Sequence, residues 1–291
     1  MEQAAHENTD RREKATLYVV ATPIGNLGDV TSRALNVLKT VDVIAAEDTR
    51  ITTRLLDHYG IHRKLIALHE HNERSRVQQV LDLLAGGASI ALVSDAGTPA
   101  ISDPGAHVIA AARDAGYPVV PLPGPNAAIA ALSASGLTAP HFLFYGFLPA
   151  RRGERMKALE SVAAAPYALV FYEAPHRIIE SVRDMCNALG GDRRIVLARE
   201  LTKRFETIHA CALGAAVQWL EADAHHALGE FVVIVSGADE SNASSDSDAR
   251  RVLEVLLSEL PVKQAVALAT QLTGGRRNEL YDMALAIKGQ T

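Results

Sequence analysis

Acidic and basic side chains follow two largely apolar segments of this sequence, residues 41–46 and 194–198. The side chains that follow these segments are Glu47, Asp48, Arg50, Glu200 and Lys203. A side chain with a free electron pair at the end of a strand can accept a proton from a hydroxyl group, and a cation there can bind phosphate. These five residues are therefore candidates for acid–base chemistry or for contact with a polyanion.

Each of these candidates also has a structural interpretation. Asp48 would cap the helix that follows it, since Asp is a favoured N-cap residue. Glu200 would pair with Arg199 or Lys203, and Glu173, a further candidate base, would serve the start of a helix. The residue types leave both roles open.

A run of small, turn-forming and acidic residues follows the apolar segment 90–93. This run covers residues 94–105 and cannot continue a strand. In a parallel α/β sheet, ligands bind beyond the carboxyl ends of the strands, so we expect the run to be a ligand-binding loop. Asp103 and Pro104 near its end predict the N-cap and the first residue of the next helix.

The elements that must position these residues alternate between strands and helices in the first half of the chain. The predicted strands cover residues 17–20, 41–46, 65–68, 89–93 and 118–122. Such alternation predicts βαβ units and a largely parallel sheet. Loops rich in Gly and Pro follow the first and last of these strands, where they permit close approach of a ligand to the backbone.

The second half has strands with fewer helices between them, which favours a mixed sheet. Its predicted strands cover residues 141–147, 168–172, 194–198, 207–210 and 231–235. We expect an α/β protein with a disordered leader (1–15), an N-terminal α/β domain (16–124), a C-terminal α/β domain (125–237), a linker (238–249) and a helical unit (250–291). In the helical unit, Arg276 and Arg277 fit contact with a polyanion and packing as a cap equally well.

Several common site types are absent from the sequence. There is no GxxxxGK[ST] motif, and no GxGxxG follows the first strand, which argues against P-loop nucleotidases and nicotinamide dehydrogenases. HExxH and CxxC motifs are also absent, so no metal site is expected. The remaining pattern suits a cofactor that carries its own reactivity and is held largely by backbone groups.

Composition describes a globular chain with no segment that could cross a bilayer. The charged fraction is 22%, the net charge is −5, and residues 1–14 lack the apolar core of a secretory signal. We therefore expect a cytoplasmic protein whose Cys186 and Cys211 stay reduced. Arg151, Arg152, Arg155 and Lys157 form a basic segment, which is either a solvated helix face or a docking site for phosphate.

Six segments in order resemble one family. They are TPIGNL (22–27), AAEDTR (45–50), LVSDAGTP (92–99), PLPGP (121–125), FYEAPHR (171–177) and ARELTK (198–203). Together they resemble the ribosomal RNA small subunit methyltransferase I family, within the tetrapyrrole methylase superfamily. Porphyrin and corrin methylases have a first loop richer in glycine, so TPIGNL favours the RNA branch.

The resemblance implies two α/β domains that bind S-adenosylmethionine in the cleft between them, usually in a homodimer. It implies methyl transfer to the ribose 2′-hydroxyl of a cytidine in the decoding region of 16S rRNA, within the small ribosomal subunit. The implied cofactor-binding residues are Pro23, Gly25, Asp95, Ala96, Gly97, Thr98, Pro123 and Gly124, with Phe171, Tyr172, Glu173 and Gly229 from the second domain. We expect residues 47–50 and 199–203 to face the RNA.

Two other functions fit the same pattern. The first is methylation of a tetrapyrrole or another small acceptor on the same fold, because an anionic macrocycle would also bind arginines. The second is a nucleotide-sensing module, which would bind the cofactor without transferring its methyl group.

Overall fold

The computed structural model describes residues 15–69, 73–238 and 246–288. The predicted leader lies almost wholly outside these ranges, as does most of the predicted linker, and the helix after the linker already begins at Asp246. The chain forms two compact units. The first comprises residues 1–136, 197–209 and 229–232, and the second comprises residues 137–196, 210–228 and 233–291.

The first unit is built around a five-stranded sheet. Its strands are β1 (Leu17–Val20), β2 (Val43–Ala46), β3 (Lys64–Ala67), β4 (Ile90–Val93) and β5 (Val119–Leu122). Its helices are α1 (Ser32–Thr40), α2 (Thr49–His58), α3 (Glu73–Ala85), α4 (Ala106–Asp114) and α5 (Ala127–Ala134). The predicted alternation of strands and helices is confirmed, with strand boundaries shifted by up to two residues.

The strands of this sheet run in the order β3-β2-β4-β1-β5 and pair in parallel. β2 and β4 are buried along their whole length, because apolar side chains pack on both faces of the sheet. One apolar cluster contains Leu17 and Leu92, and the other contains Val20 and Val93. The parallel pairing brings the carboxyl ends of neighbouring strands, and the loops that follow them, to one edge.

The predicted start of α4 was wrong. The helix begins at Ala106 with Gly105 as its N-cap, so Asp103 and Pro104 lie outside it. Gly105 has φ +129° and offers no side-chain cap. Instead, the Glu73 carboxylate accepts hydrogen bonds from the backbone N–H groups of Gly105 (3.0 Å) and His107 (2.8 Å). A carboxylate from a distant helix thus fills the role that the sequence predicted for Asp103.

A second five-stranded sheet has the order β6-β7-β10-β8-β9. Its strands are β6 (Phe142–Phe147), β7 (Ala168–Glu173), β8 (Arg194–Arg199), β9 (Thr207–Ala212) and β10 (Phe231–Val235). The accompanying helices are α6 (Arg152–Ser161), α7 (Ile178–Leu189) and α8 (Leu213–Ala222). β6 and β7 are parallel, whereas backbone bonds at both ends of β8 and β10 show an antiparallel pair. The predicted mixed sheet is confirmed.

The predicted basic segment is not a simple solvated face. Arg155 is 1% exposed and its guanidinium bonds to Asp184 at 2.8 Å. Arg152 bonds to the same carboxylate at 3.0 Å, because α6 packs on α7. Only Arg151 and Lys157 keep exposed positions without a bond to this buried carboxylate. The segment therefore contains a structural ion pair, and docking through Arg155 is excluded by its burial.

The chain ends in three helices, α9 (Asp246–Glu259), α10 (Val262–Thr273) and α11 (Arg277–Lys288). Leu253, Val266 and Leu280 form part of their shared apolar core. None of the helices in the described ranges is both long and apolar enough to cross a lipid bilayer. Cys186 and Cys211 are free thiols, as predicted.

Candidate functional site

The loop after β1 is joined to the loop after β4. Thr22 and Gly97 exchange two backbone hydrogen bonds, at 2.9 and 3.1 Å. The buried Thr22 hydroxyl also donates to the carbonyl of Ser94 at 3.0 Å. Gly97 has φ +88°, and a Cβ there would lie 3.3 Å from Ile24 Cγ2. Only glycine combines this backbone conformation with such close contact.

The loop after β5 lies against the same two loops. The Thr98 hydroxyl donates to the carbonyl of Pro125 at 3.1 Å. A Cβ on Gly124 would lie 2.8 Å from the Cβ of Ala21, which is too close for any larger residue. Pro123 and Gly124 are themselves exposed at this edge. Three adjacent strands, β4, β1 and β5, thus present interlocked loops of small residues.

The end of β2 joins this edge through carboxylates. The backbone N–H of Asp95 donates to Glu47 at 3.3 Å, and that of Asp48 donates to Asp95 at 2.9 Å. Asp48 caps α2 by accepting from the backbone N–H of Arg50 at 2.8 Å. The pKa of Asp48 is lowered to about 2, mainly because its carboxylate accepts hydrogen bonds from the Arg50 side chain. Asp48 is thus ionised at neutral pH and orients the 85% exposed Arg50 side chain.

Asp103 is a titrating group that the sequence did not predict for this site. Burial, followed by the negative charge of Glu47, raises the pKa of Asp103 to about 6, although a hydrogen bond with Ser94 opposes the rise. Ala100 and Ser102 adopt left-handed conformations, with φ +65° and +62°. The sequence predicted Asp103 to cap a helix. Because α4 begins later than predicted, Asp103 instead lies where the charges of Glu47 and Asp95 act on it.

Residues 197–209 and 229–232 contribute a second group of charges to the first unit. Lys203 Nζ lies 2.9 Å from Glu200 Oε1 and 2.8 Å from Glu230 Oε2. Burial alone would raise the pKa of Glu200, but the hydrogen bonds from Lys203 and the Glu230 backbone lower it overall. Burial would lower the pKa of Lys203, but its bonds to Glu230 and Glu200 raise it overall. The pair is therefore ionised at neutral pH.

Gly25 and Gly229 both contact this charged group. A Cβ on Gly25 would lie 2.5 Å from Lys203 Cγ, and a Cβ on Gly229 would lie 2.4 Å from Glu200 Cγ. Both glycines are thus required for close packing around the Glu200–Lys203 pair. The structure brings together, within the first unit, the β1 loop and the segment 200–203 that the sequence placed far apart.

The chain is similar to known proteins over most of its length. Residues 16–217 match the family model for Tetrapyrrole (Corrin/Porphyrin) Methylases, and residues 243–288 match the RsmI C-terminal HTH domain. The chain is 51% identical to the ribosomal RNA small subunit methyltransferase I of Pseudomonas aeruginosa, over 95% of this chain and 99% of the relative. It is 49% identical to the protein of the same name from Escherichia coli O157:H7, over 98% and 99%.

The chain belongs to the ribosomal RNA small subunit methyltransferase I family. Solved structures with lower sequence identity share the fold of this family member. Cobalt precorrin-4 methyltransferase, a cobalamin biosynthetic enzyme, aligns with a TM-score of 0.58 at 17% identity, over 78% of this chain and 96% of that one. The methyltransferase CobJ aligns with a TM-score of 0.57 at 22% identity, over 77% and 93%. Both support the tetrapyrrole methylase fold that the resemblance implied.

The candidate residues of the second unit differ in accessibility. Phe171 is fully buried. Glu173 is 2% exposed and accepts hydrogen bonds from the backbone N–H of Ala174 at 2.9 Å and the hydroxyl of Ser181 at 2.5 Å. Tyr172 is only partly buried. The structural role that the sequence left open for Glu173 is therefore satisfied within this unit.

A bulge that the sequence did not predict shapes the surroundings of Tyr172. The register of β6 on β7 shifts between Phe144 and Gly146, and Gly146 has φ +81°. The shift pairs Phe147 with Tyr172, so that Phe144 and Phe147 both contact the Tyr172 ring edge-on, at centroid distances of 5.0 and 5.5 Å. Gly146 was the available signal, since a glycine inside a strand often marks a bulge.

No cluster of His, Cys, Asp or Glu side chains suited to a metal ion occurs within the described ranges. The first-unit site therefore consists of backbone groups, small residues and charged side chains. Such a site can hold a polar ligand closely, and the exposed guanidinium of Arg50 can contact a second substrate.

Proposed function

We propose that this protein is an S-adenosylmethionine-dependent methyltransferase that methylates the ribose 2′-hydroxyl of a cytidine in the decoding region of 16S rRNA, as a homodimer acting on the small ribosomal subunit. The observation that carries the rRNA assignment is the match, over nearly the full length of the chain, to relatives named ribosomal RNA small subunit methyltransferase I. The resemblance of the six sequence segments supports the cytidine and its ribose hydroxyl as the acceptor.

The glycine-lined edge of the first unit fits S-adenosylmethionine. A Cβ would clash with neighbouring protein atoms at Gly124 and Gly25 and would be crowded at Gly97, so these glycines let the loops pack closely, while Gly25 and Gly124 stay exposed at this edge. The residues that would hold the cofactor are Pro23, Gly25, Asp95, Ala96, Gly97, Thr98, Pro123 and Gly124. The bound cofactor supplies a methyl group on a positively charged sulfur, which needs no metal and no covalent enzyme intermediate.

The contribution of the chain is to hold the acceptor oxygen in line with the methyl group and to exclude water. Neither Glu200 nor Lys203 is set up as a general base, since their pairing keeps the carboxylate weakly basic and the amine protonated. Asp103 is better suited to accept the hydroxyl proton, because its pKa of about 6 lies nearer the working pH. Glu47 and Asp95 would tune this group through their negative charges.

Arg50 and Lys203 would bind the RNA backbone. Arg50 is exposed and oriented by Asp48, which presents its guanidinium to a phosphate. We expect Arg50→Ala and Lys203→Ala to raise the KM for small ribosomal subunits about tenfold, the effect of losing one charge-assisted contact. Arg54→Ala is the matched control, since Arg54 is exposed on the same helix and forms no ion pair with another described residue. Unchanged methylation in the first two variants would remove this role.

The activity itself is tested by incubating the protein with labelled S-adenosylmethionine and either small ribosomal subunits or uroporphyrinogen. We expect label on the 16S rRNA only, and 2′-O-methylcytidine in its nucleoside digest by mass spectrometry. Label on uroporphyrinogen would support the tetrapyrrole alternative, and binding without transfer would support a sensing module.

A pair of glycine variants tests the cofactor site. Gly97→Ala and Gly116→Ala place the same side chain at positive φ, +88° and +80°, so the backbone strain is similar in the two variants. Gly116 has open space around a Cβ, whereas Gly97 faces Ile24 and the Pro125 carbonyl. We expect Gly97→Ala alone to weaken S-adenosylmethionine binding, measured by calorimetry. Equal binding by both variants would place the cofactor elsewhere.

A further inference from the structure

Arg199 differs from the other buried charged side chains of the described ranges. Arg155 and Asp184 bond to each other at 2.8 Å, and Glu73 and Glu173 each accept hydrogen bonds from neighbouring groups. Arg199 is 7% exposed, yet its Nε has no hydrogen-bond partner, and no ion pair forms at its guanidinium within the described part of the chain.

A buried guanidinium N–H without a hydrogen-bond acceptor is energetically unfavourable. Arginine cannot avoid this by becoming neutral, because its guanidinium stays protonated in proteins. The positive charge of Arg199 helps to lower the pKa of the neighbouring Glu200, but no described residue accepts a hydrogen bond from its Nε. An anion that is not part of the described chain would supply this acceptor.

Thr202 supplies an independent observation in the same segment. Its Oγ1 is also buried without a hydrogen-bond partner, and it lies 3.1 Å from the position that a Cβ on Gly25 would occupy. Glu200 and Thr202 adopt left-handed conformations, with φ +52° and +65°, which is costly for a β-branched residue. Strain of this kind persists where the surrounding structure holds a segment in place for a ligand.

We propose that Arg199 and Thr202 form a binding site for an oxyanion of one of the two substrates. The ligand chemistry is a carboxylate or a phosphate, whose two oxygens match the fork of the guanidinium. The carboxylate source would be the amino-acid part of S-adenosylmethionine, and the phosphate source would be the RNA backbone. The choice between these sources rests on the proposed function, but the presence of the site does not.

The first measurement uses the free protein and inorganic phosphate. Arg199→Met is compared with Arg194→Met, which changes an exposed arginine at the other end of the same strand. We expect Arg199→Met to melt no lower than wild type, since it removes a buried N–H group that has no hydrogen-bond partner. We expect phosphate to raise the melting temperature of wild type and Arg194→Met, and to lose this effect in Arg199→Met.

The second measurement identifies the source. S-adenosylhomocysteine carries the carboxylate, whereas 5′-methylthioadenosine lacks it. Losing a hydrogen bond to a charged group usually lowers affinity about 10- to 100-fold. If Arg199→Met shows this loss for S-adenosylhomocysteine but not for 5′-methylthioadenosine, the site binds the cofactor. The same loss for short single-stranded RNA, with S-adenosylhomocysteine unaffected, assigns it to phosphate.

The proposal is overturned if Arg199→Met retains the phosphate effect and binds both ligands as Arg194→Met does. It is also overturned if Arg199→Met lowers the melting temperature and leaves all affinities unchanged, because Arg199 would then be structural. If wild type does not bind S-adenosylhomocysteine, the proposed cofactor is wrong, and the phosphate measurement alone decides whether Arg199 belongs to an oxyanion site. Arg199→Lys keeps the charge and serves if Arg199→Met does not fold, with weaker binding expected because an ammonium lacks the planar fork.

Discussion

Removing Asp184 should destabilise the second unit strongly. Its carboxylate is 3% exposed and accepts bonds from Arg155 Nε at 2.8 Å and Arg152 Nε at 3.0 Å. Arg155 is itself 2% exposed at its side chain, so Asp184→Ala leaves its positive charge buried beside one mostly exposed carboxylate, Glu180, at 3.7 Å. Breaking a buried pair in this way costs about 3 to 5 kcal/mol of the free energy of unfolding.

Two further variants separate the charge from the packing. The double variant Arg155→Met with Asp184→Leu removes both charges and should recover most of the loss, because burying two charges is itself costly. Glu254→Ala is the control for an exposed ion pair, since it breaks the pair of Glu254 and Arg250, whose two side chains are 53% and 54% exposed. It should cost only about 0.3 to 0.5 kcal/mol.

Urea unfolding followed by tryptophan fluorescence measures these differences. The chain has one tryptophan, and Trp219 belongs to the same unit as Arg155 and Asp184. A loss below about 1 kcal/mol in Asp184→Ala, the range of surface pairs, would refute the inference that this pair is buried and isolated from water. So would a double variant less stable than the single one.

Variants at three other positions test the first unit. For Asp103, burial raises the pKa from 3.8 to about 6, so the folded state holds its proton more tightly and stability falls as pH rises through that range. At pH 7, Asp103→Asn should therefore be more stable than wild type by about 1 kcal/mol, after allowance for partial exposure of the carboxyl. At pH 3 the two proteins should be equally stable. Thermal melts that show equal stability at both pH values would contradict the raised pKa. Glu73→Ala should lower the free energy of unfolding by about 2 to 3 kcal/mol, because it removes two charge-assisted hydrogen bonds at the start of α4. Glu73→Gln should lower it less. A loss under about 0.5 kcal/mol in Glu73→Ala would show that water replaces the cap. Thr202→Val should leave the melting temperature unchanged, because the lost hydroxyl has no partner; a clear decrease would reveal one.

The sequence determined the elements and their class. Largely apolar runs of four to seven residues between turn-forming residues predicted the ten strands, and the alternation with helices predicted one parallel and one mixed sheet. The resemblance of the six segments also predicts which strand ends carry the site, and this stays a prediction. These features are local, or depend on hydrophobic periodicity, so they can be read without knowing which segments meet in space.

Tertiary structure decided what each charged residue does. Asp48 and Asp103 are both residues that favour the N-cap of a helix. Asp48 does cap α2, but at α4 this role is taken by Glu73, which lies thirty residues before Asp103 in the chain. Arg155 and Lys157 look alike in the sequence, and only the packing of α6 on α7 buries one and exposes the other. Burial and the choice of partner arise from contacts between distant segments, so the pKa values of Asp103, Glu200 and Lys203, and the lack of a partner for Arg199, became visible only once the chain was folded.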